Sequence, residues 1–138
     1  MAEALLRKAT ANSPEVIVGS AGVGALPGQP ASGETLSILK SRKATLANFR
    51  SRQVDEDLVS NADLVIAMTR AHAAMVSQFF DDARDSVNLL CDFIDEGEGL
   101  AGVDVPDPIG MGREAYEEVA KVIELAIPGI IRKLDEEQ

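Results

Sequence analysis

Leu64-Val65-Ile66-Ala67-Met68 is the stretch that decides the fold of this 138-residue chain. Five consecutive apolar residues, two of them β-branched, follow the polar punctuation Ser60-Asn61-Ala62-Asp63. Such a run reads as a buried strand. Thr69 comes next, and a threonine hydroxyl accepts from a free N–H of a first helical turn. The pattern therefore predicts a helix over Arg70 to Phe80 directly after the strand.

The same alternation extends in both directions. Met1 to about Ala11 is rich in alanine and leucine and predicts a helix, broken by Asn12-Ser13-Pro14. Glu15 to Ser20 (EVIVGS) reads as a second buried strand, followed by a glycine- and proline-bearing loop from Gly22 to Gly28 and a helix over roughly Ala31 to Lys40. Ser86 to Leu90 is a weaker strand, and Gly97 to Gly102 a flexible run. The last helix starts near Glu114 and places Tyr116, Val119, Ala120, Ile123, Ile127, Ile130 and Leu134 on one apolar face. Pro128 removes a hydrogen bond from it and clashes with the carbonyl of Glu124, so a kink or restart is expected near Ile127. Strands alternating with helices in one domain of this length imply a three-layer α/β/α sandwich with a parallel sheet. Ligands of such sheets lie beyond the carboxyl ends of the strands. The loops Ser20 to Gly28, Met68 to Arg70, and Asp104-Val105-Pro106-Asp107-Pro108-Ile109-Gly110 would converge there.

Composition excludes several function classes. A formal charge of −10 argues against nucleic acid and anionic membrane surfaces as partners. Lys40, Arg42, Lys43, Arg50 and Arg52 fall in an acid-free window, which reads first as a solvated face. One cysteine, Cys91, rules out an internal disulfide framework and a cysteine-based zinc site; one histidine, His72, rules out a multi-histidine metal site. No apolar run reaches the ~20 residues that span a bilayer. The N-terminal segment is amphipathic rather than signal-like, and a cytoplasmic protein is expected. No metal or other cofactor is expected.

Met1-Ala2-Glu3-Ala4-Leu5-Leu6, Ser20-Ala21-Gly22, Arg50-Ser51-Arg52, Ala62 to Thr69, His72 and Asp107-Pro108-Ile109-Gly110 occur in an order that resembles the low-molecular-weight protein tyrosine phosphatases over essentially the whole chain. The resemblance implies a hydrolase of phosphoprotein monoesters acting on a phosphoprotein or phosphopeptide. Members carry a first strand and a C-x5-R-[ST]-P loop directly before the segment matching Met1 to Ala4. The resemblance thus implies a member that starts just after its catalytic loop. Cys91 does not substitute, because the position six residues downstream is Gly97, not arginine. In the family, amides and an arginine fork hold the phosphate and activate the thiolate. The thiolate attacks phosphorus, and a carboxylic acid protonates the leaving oxygen and then activates water.

Asp107 matches that general acid; on residue type alone it would be a turn aspartate before proline. An isolated aspartate is protonated about once in a thousand at pH 7, so the role requires a phosphate dianion and a closed cleft to favour the protonated form. Pro108 would position the loop. Ser20 matches a serine that supports the phosphate loop, or else simply ends a strand. Phe49 stands where many members carry a histidine, and Leu26 and Ile109 stand where tyrosine-selective members place aromatic walls. Cys91 reads as a small buried hydrophobe, His72 as a surface residue and Tyr116 as core.

Two functions follow from the resemblance. One is a phosphatase of which these residues lack the nucleophile, so that the chain itself is expected to be inactive; a protein-arginine phosphatase is the variant reading. The other is a pseudophosphatase that binds phosphorylated ligands through Arg50 to Arg52. In the family the absent strand lies between the Glu15–Ser20 and Leu64–Met68 strands, and its removal opens a gap of ~10 Å. The flanking strands are expected to close up and pair in a monomer, with a strand-exchanged dimer as the other outcome.

Overall fold

A computed structural model describes residues 1–23, 27–46, 49–80, 86–100 and 102–136. The elements in chain order are α1 (Ala2–Ala9), α2 (Gly33–Ser41), α3 (Glu56–Asn61), β1 (Val65–Ala67), α4 (Arg70–Phe79), β2 (Val87–Leu89) and α5 (Arg113–Glu136). Short 3-10 turns span Leu90–Phe93 and Glu96–Glu98.

Local chemistry explains the helix starts. Ser32 accepts from the N–H of Thr35, Asp55 from Leu58 and Thr69 from His72, each satisfying a first-turn donor. In α1, Glu3 lies in the first turn and Arg7 and Lys8 in the last, the arrangement that the helix dipole favours. α3 is not anticipated by periodicity. Its signal is the capping Asp55 followed by Glu56 and Asp57.

β1 and β2 pair in parallel, with Val65 opposite Val87, Ile66 opposite Asn88 and Ala67 opposite Leu89, and α4 lies between them in sequence. Side chains alternate across this ribbon. Leu64, Ile66 and Met68 pack on a core built from α1, α2, α5 and the turn after β2, including Leu5, Ile38, Leu39, Leu90, Tyr116 and Ile123. Val65 and Val87 pack on the other side against Val59 of α3 and Val76 of α4. A sheet with helices on both faces is the sandwich that the sequence implies.

Two expectations are corrected. Glu15 to Ser20 is not a strand, and β1 pairs with β2 rather than closing up against it. A strand needs a neighbouring backbone to hydrogen-bond with. Here arginines take that place: Arg7 donates to the Val18 carbonyl through Nε at 3.1 Å and Nη2 at 2.8 Å, and Arg52 Nε donates to the Ser20 carbonyl at 2.9 Å. Among the described residues no strand pairs with it, and Ile17 is 94% exposed. The chain then enters a parallel bridge between Gly22 and Gln53.

α5 does not restart at Pro128; it runs unbroken from Arg113 to Glu136. Interior proline costs ~3 kcal/mol. Buried Ile123 and Ala126 before it, and Gly129 and Ile130 after it, dock both halves on one core. At ~1.5–3 kcal/mol per buried isoleucine, that docking offsets the lost hydrogen bond.

Candidate active site

The acid loop hangs from the carboxyl end of β1. The Val105 N–H donates to the Met68 carbonyl at 2.8 Å, and the Val105 side chain is buried. One residue earlier, the Asp104 carboxylate accepts from the backbone N–H of Arg70 at 2.8 Å, with Arg70 Nε at 3.5 Å. Asp104 therefore works with Thr69 on the free donors and positive end of α4. These two contacts pin the loop to the strand–helix junction Met68 to Arg70. Sequence reading expects these two loops to meet but assigns Asp104 no part. Its position immediately before Val105-Pro106-Asp107 carries no signal by itself.

Beyond the anchor the loop turns outward. Asp107 is exposed, and its Oδ1 accepts from the Ile109 N–H at 3.0 Å across Pro108. This side chain-to-backbone bond is the turn chemistry of an aspartate before proline. The Met111 N–H donates to the Pro108 carbonyl at 3.0 Å, and Gly110 and Gly112 take positive φ values of 78° and 84°. Pro108 thus fixes the turn that presents the carboxylate, and Ile109 stands beside it, 73% exposed. The loop's far end enters α5, which is tied to α2. Arg42 Nε reaches Glu124 at 2.8 Å and Nη1 reaches Glu117 at 3.1 Å, while Arg113 Nη1 donates to Ser37 Oγ at 2.6 Å. The hydrogen bond to Glu124, then the one to Glu117, pushes the Arg42 guanidinium further up from its already high value.

The remaining candidates have partners outside the loop or lie beneath it. Ser20 Oγ donates to Glu3 Oε1 at 2.7 Å, so its hydroxyl engages α1. Phe49 is half-buried beside the exposed Arg50, whose Nη1 donates to the Phe49 carbonyl at 2.8 Å. Arg52 is committed to the Ser20 backbone, and a Cβ at Gly19 would meet its Nη2 at 2.6 Å. These arginines strap backbone. Leu26 lies outside the described residues. Cys91 is 1% exposed, and burial first, then Asp92 and Asp104, pushes its thiol up. That is the opposite of what an attacking thiolate requires. His72 is exposed and Tyr116 buried, as the sequence implies. Among the described residues no cluster of His, Cys, Asp and Glu suits a metal, and no helix is long and apolar enough to cross a membrane.

A parallel β–α–β core with an exposed carboxylate loop at its strand ends defines an α/β protein whose candidate site lies at the carboxyl edge of the sheet. Comparison with known proteins sharpens this. The sequence profile described as low molecular weight phosphotyrosine protein phosphatase matches residues 1–138. The chain belongs to that family. It is 35% identical to the protein-arginine-phosphatase of Geobacillus stearothermophilus over 138 residues, covering all of this chain and 88% of the relative. It is 30% identical over 125 residues to the low molecular weight protein-tyrosine-phosphatase Wzb of Salmonella typhi, covering 91% and 80%. The solved YwlE arginine phosphatase of Geobacillus stearothermophilus superposes with a TM-score of 0.86 at 34% identity, covering 99% of this chain and 84% of that one. The tyrosine phosphatase Wzb of Escherichia coli K30, solved with sulphate, superposes at 0.84 with 27% identity, covering 96% and 87%.

Proposed function

We propose that this chain carries Asp107 as the general acid and base of a cytoplasmic phosphoprotein phosphatase. The observation that carries the reading is the double anchor of its loop. The Val105–Met68 and Asp104–Arg70 hydrogen bonds hold an exposed carboxylate at the strand edge in a chain that matches the family throughout. In the reaction a thiolate attacks phosphorus and the P–O ester bond breaks. Asp107 gives its proton to the leaving oxygen, then takes one from the water that cleaves the phospho-thiol intermediate. Ile109 forms the wall next to that carboxylate and Pro108 positions the loop, with Leu26 and Phe49 as the other wall positions and Ser20 as support for the phosphate loop. Residues 1–138 contain no cysteine–arginine loop, and Cys91 is buried with its thiol form favoured. This polypeptide alone is therefore proposed to carry out no turnover.

A second reading concerns the leaving group. The 35% identical relative is a protein-arginine-phosphatase, and the wall beside Asp107 is the aliphatic Ile109 rather than an aromatic ring that would stack on a phenol. Phosphoarginine, with no ring to stack, suits such a wall.

The test is hydrolysis of a phosphotyrosine peptide and a phosphoarginine peptide by the 138-residue polypeptide and by the protein isolated from its own cells. The polypeptide is expected to be silent on both. Any turnover by the protein from its own cells should fall about 10²–10⁴-fold in Asp107→Ala. Turnover that ignores Asp107 refutes the assignment, and turnover by the polypeptide refutes the missing attacker.

A further inference from the structure

α4 has a thin seat in the fold. Of its 10 residues only Val76 is buried, packed with Val59 of α3. A helix of that length does not hold itself together in water, so its stability comes from what it packs against. Past Arg70 its exposed positions are Ala71, His72, Ala74, Met75, Gln78 and Phe79, with no carboxylate, lysine or arginine among them. Ala71, Ala74, Met75, Gln78 and Phe79 recur at three- and four-residue spacing and share one stripe. Phe79 is 67% exposed and Met75 38%. The two ends of the helix differ in charge. Its first residue is Arg70, whose side chain is 74% exposed, with Asp104 at 3.5 Å from Nε. An ion pair that open to water holds its guanidinium weakly. The last turn holds no basic residue, so the negative end of the helix dipole has no cation on its own helix.

We propose that this stripe is a self-association surface: two copies of the chain pack α4 against α4, antiparallel, about a two-fold axis between Ala74 and Met75. A two-fold contact brings the same patch of both copies together. Each copy carries −10 and repels the other, so such a patch must be free of acids, and this stripe is. The antiparallel sense sets Arg70 of each copy at the last turn of the other α4, where a cation is missing. Ala71 then lies opposite Gln78, and the small Ala71 and Ala74 make room for the larger Met75 and Phe79 of the other copy. Parallel packing would instead set two arginines side by side. The contact is about 15 Å long at ~1.5 Å per residue, short of the roughly 1,200–2,000 Å² that a stable interface buries. The dimer is therefore weak, with a dissociation constant of about 10⁻⁴ M. This surface is independent of the role given to Asp107.

The experiment is sedimentation equilibrium of the 138-residue chain across concentrations that bracket that constant, with circular dichroism to check that each variant folds. The parent is expected to be a monomer when dilute and a dimer when concentrated. Phe79→Lys, which sets a charge in the stripe, should leave a monomer throughout. Arg70→Ala should weaken the dimer about two- to five-fold, the size of a cation's effect at a helix end. Ile17→Lys, on the exposed segment before Ser20, should change nothing. Ala74→Cys, oxidised with copper–phenanthroline in air, should give a disulfide-linked dimer, because that position lies beside the axis. Native Cys91 is 1% exposed and does not compete. A monomer at every concentration overturns the proposal, whether the stripe stays bare or takes a different protein. A dimer that survives Phe79→Lys but not Ile17→Lys also overturns it and assigns assembly to that other segment. An Arg70→Ala dimer as tight as the parent refutes the antiparallel sense. Where Phe79→Lys does not fold, the Ala74→Cys cross-link decides, and its absence overturns the contact.

Discussion

Gly129→Ala tests how the longest helix is seated. A Cβ built at Gly129 collides with the Phe93 carbonyl oxygen and lies 2.9 Å from the Phe93 carbonyl carbon and 3.1 Å from its Cβ. Two of those three atoms are backbone, in the 3-10 turn after β2, and cannot swing aside as a side-chain tip would. Either the turn or α5 must move. Over-packing of a tight contact costs roughly 1–3 kcal/mol, and a backbone obstruction belongs at the upper end. Alanine returns about 1 kcal/mol over glycine in a helix interior. The net loss is then about 2 kcal/mol, a large share of the roughly 5–15 kcal/mol that holds a domain folded. Urea unfolding followed by circular dichroism should show a lower midpoint at unchanged slope. Lys121→Ala, on the exposed face of the same helix, should stay within about 0.5 kcal/mol of the parent. A Gly129→Ala protein more stable by the propensity difference would refute the close approach of α5 to the turn, and with it the account of how α5 tolerates Pro128.

Three further outcomes check separate parts of the structure. Asp104→Ala should speed hydrogen exchange at the Arg70 amide about five- to ten-fold, the loss of a capping contact of ~1 kcal/mol; unchanged exchange would show that the carboxylate does not anchor the loop. Arg42→Met should cost about 0.5–1 kcal/mol in low salt and less in 1 M salt, because it removes two partly exposed ion pairs; a loss that does not shrink with salt would assign Arg42 a packing role instead. Cys91 should alkylate far more slowly in the folded chain than in urea. The folded thiol keeps its proton where the unfolded one, with an ordinary value of about 8.5, gives it up. Its contribution to stability is therefore full below that pH and is lost as pH climbs toward the raised folded value, a decline that Cys91→Ala should remove.

The alternation of strand and helix was legible in the chain because it rests on local chemistry. The run Leu64 to Met68 is apolar at every position, Thr69 offers its hydroxyl to the next turn, and the period of Tyr116 to Leu134 holds along one face of α5. The ordered set of short segments carried the family, and Asp107-Pro108 carried its own turn. What the sequence alone could not determine depends on partners distant in the chain. EVIVGS has a strand's composition, yet composition cannot supply the neighbouring backbone a strand needs, and the carbonyls of Val18 and Ser20 are met by Arg7 and Arg52. Pro128 has a breaker's chemistry, yet burial on either side of it keeps α5 whole. Asp104 became an anchor only when the fold brought the end of β1 and the start of α4 to it, since hydrogen bonds and burial are settled by contacts in space rather than by neighbours in sequence.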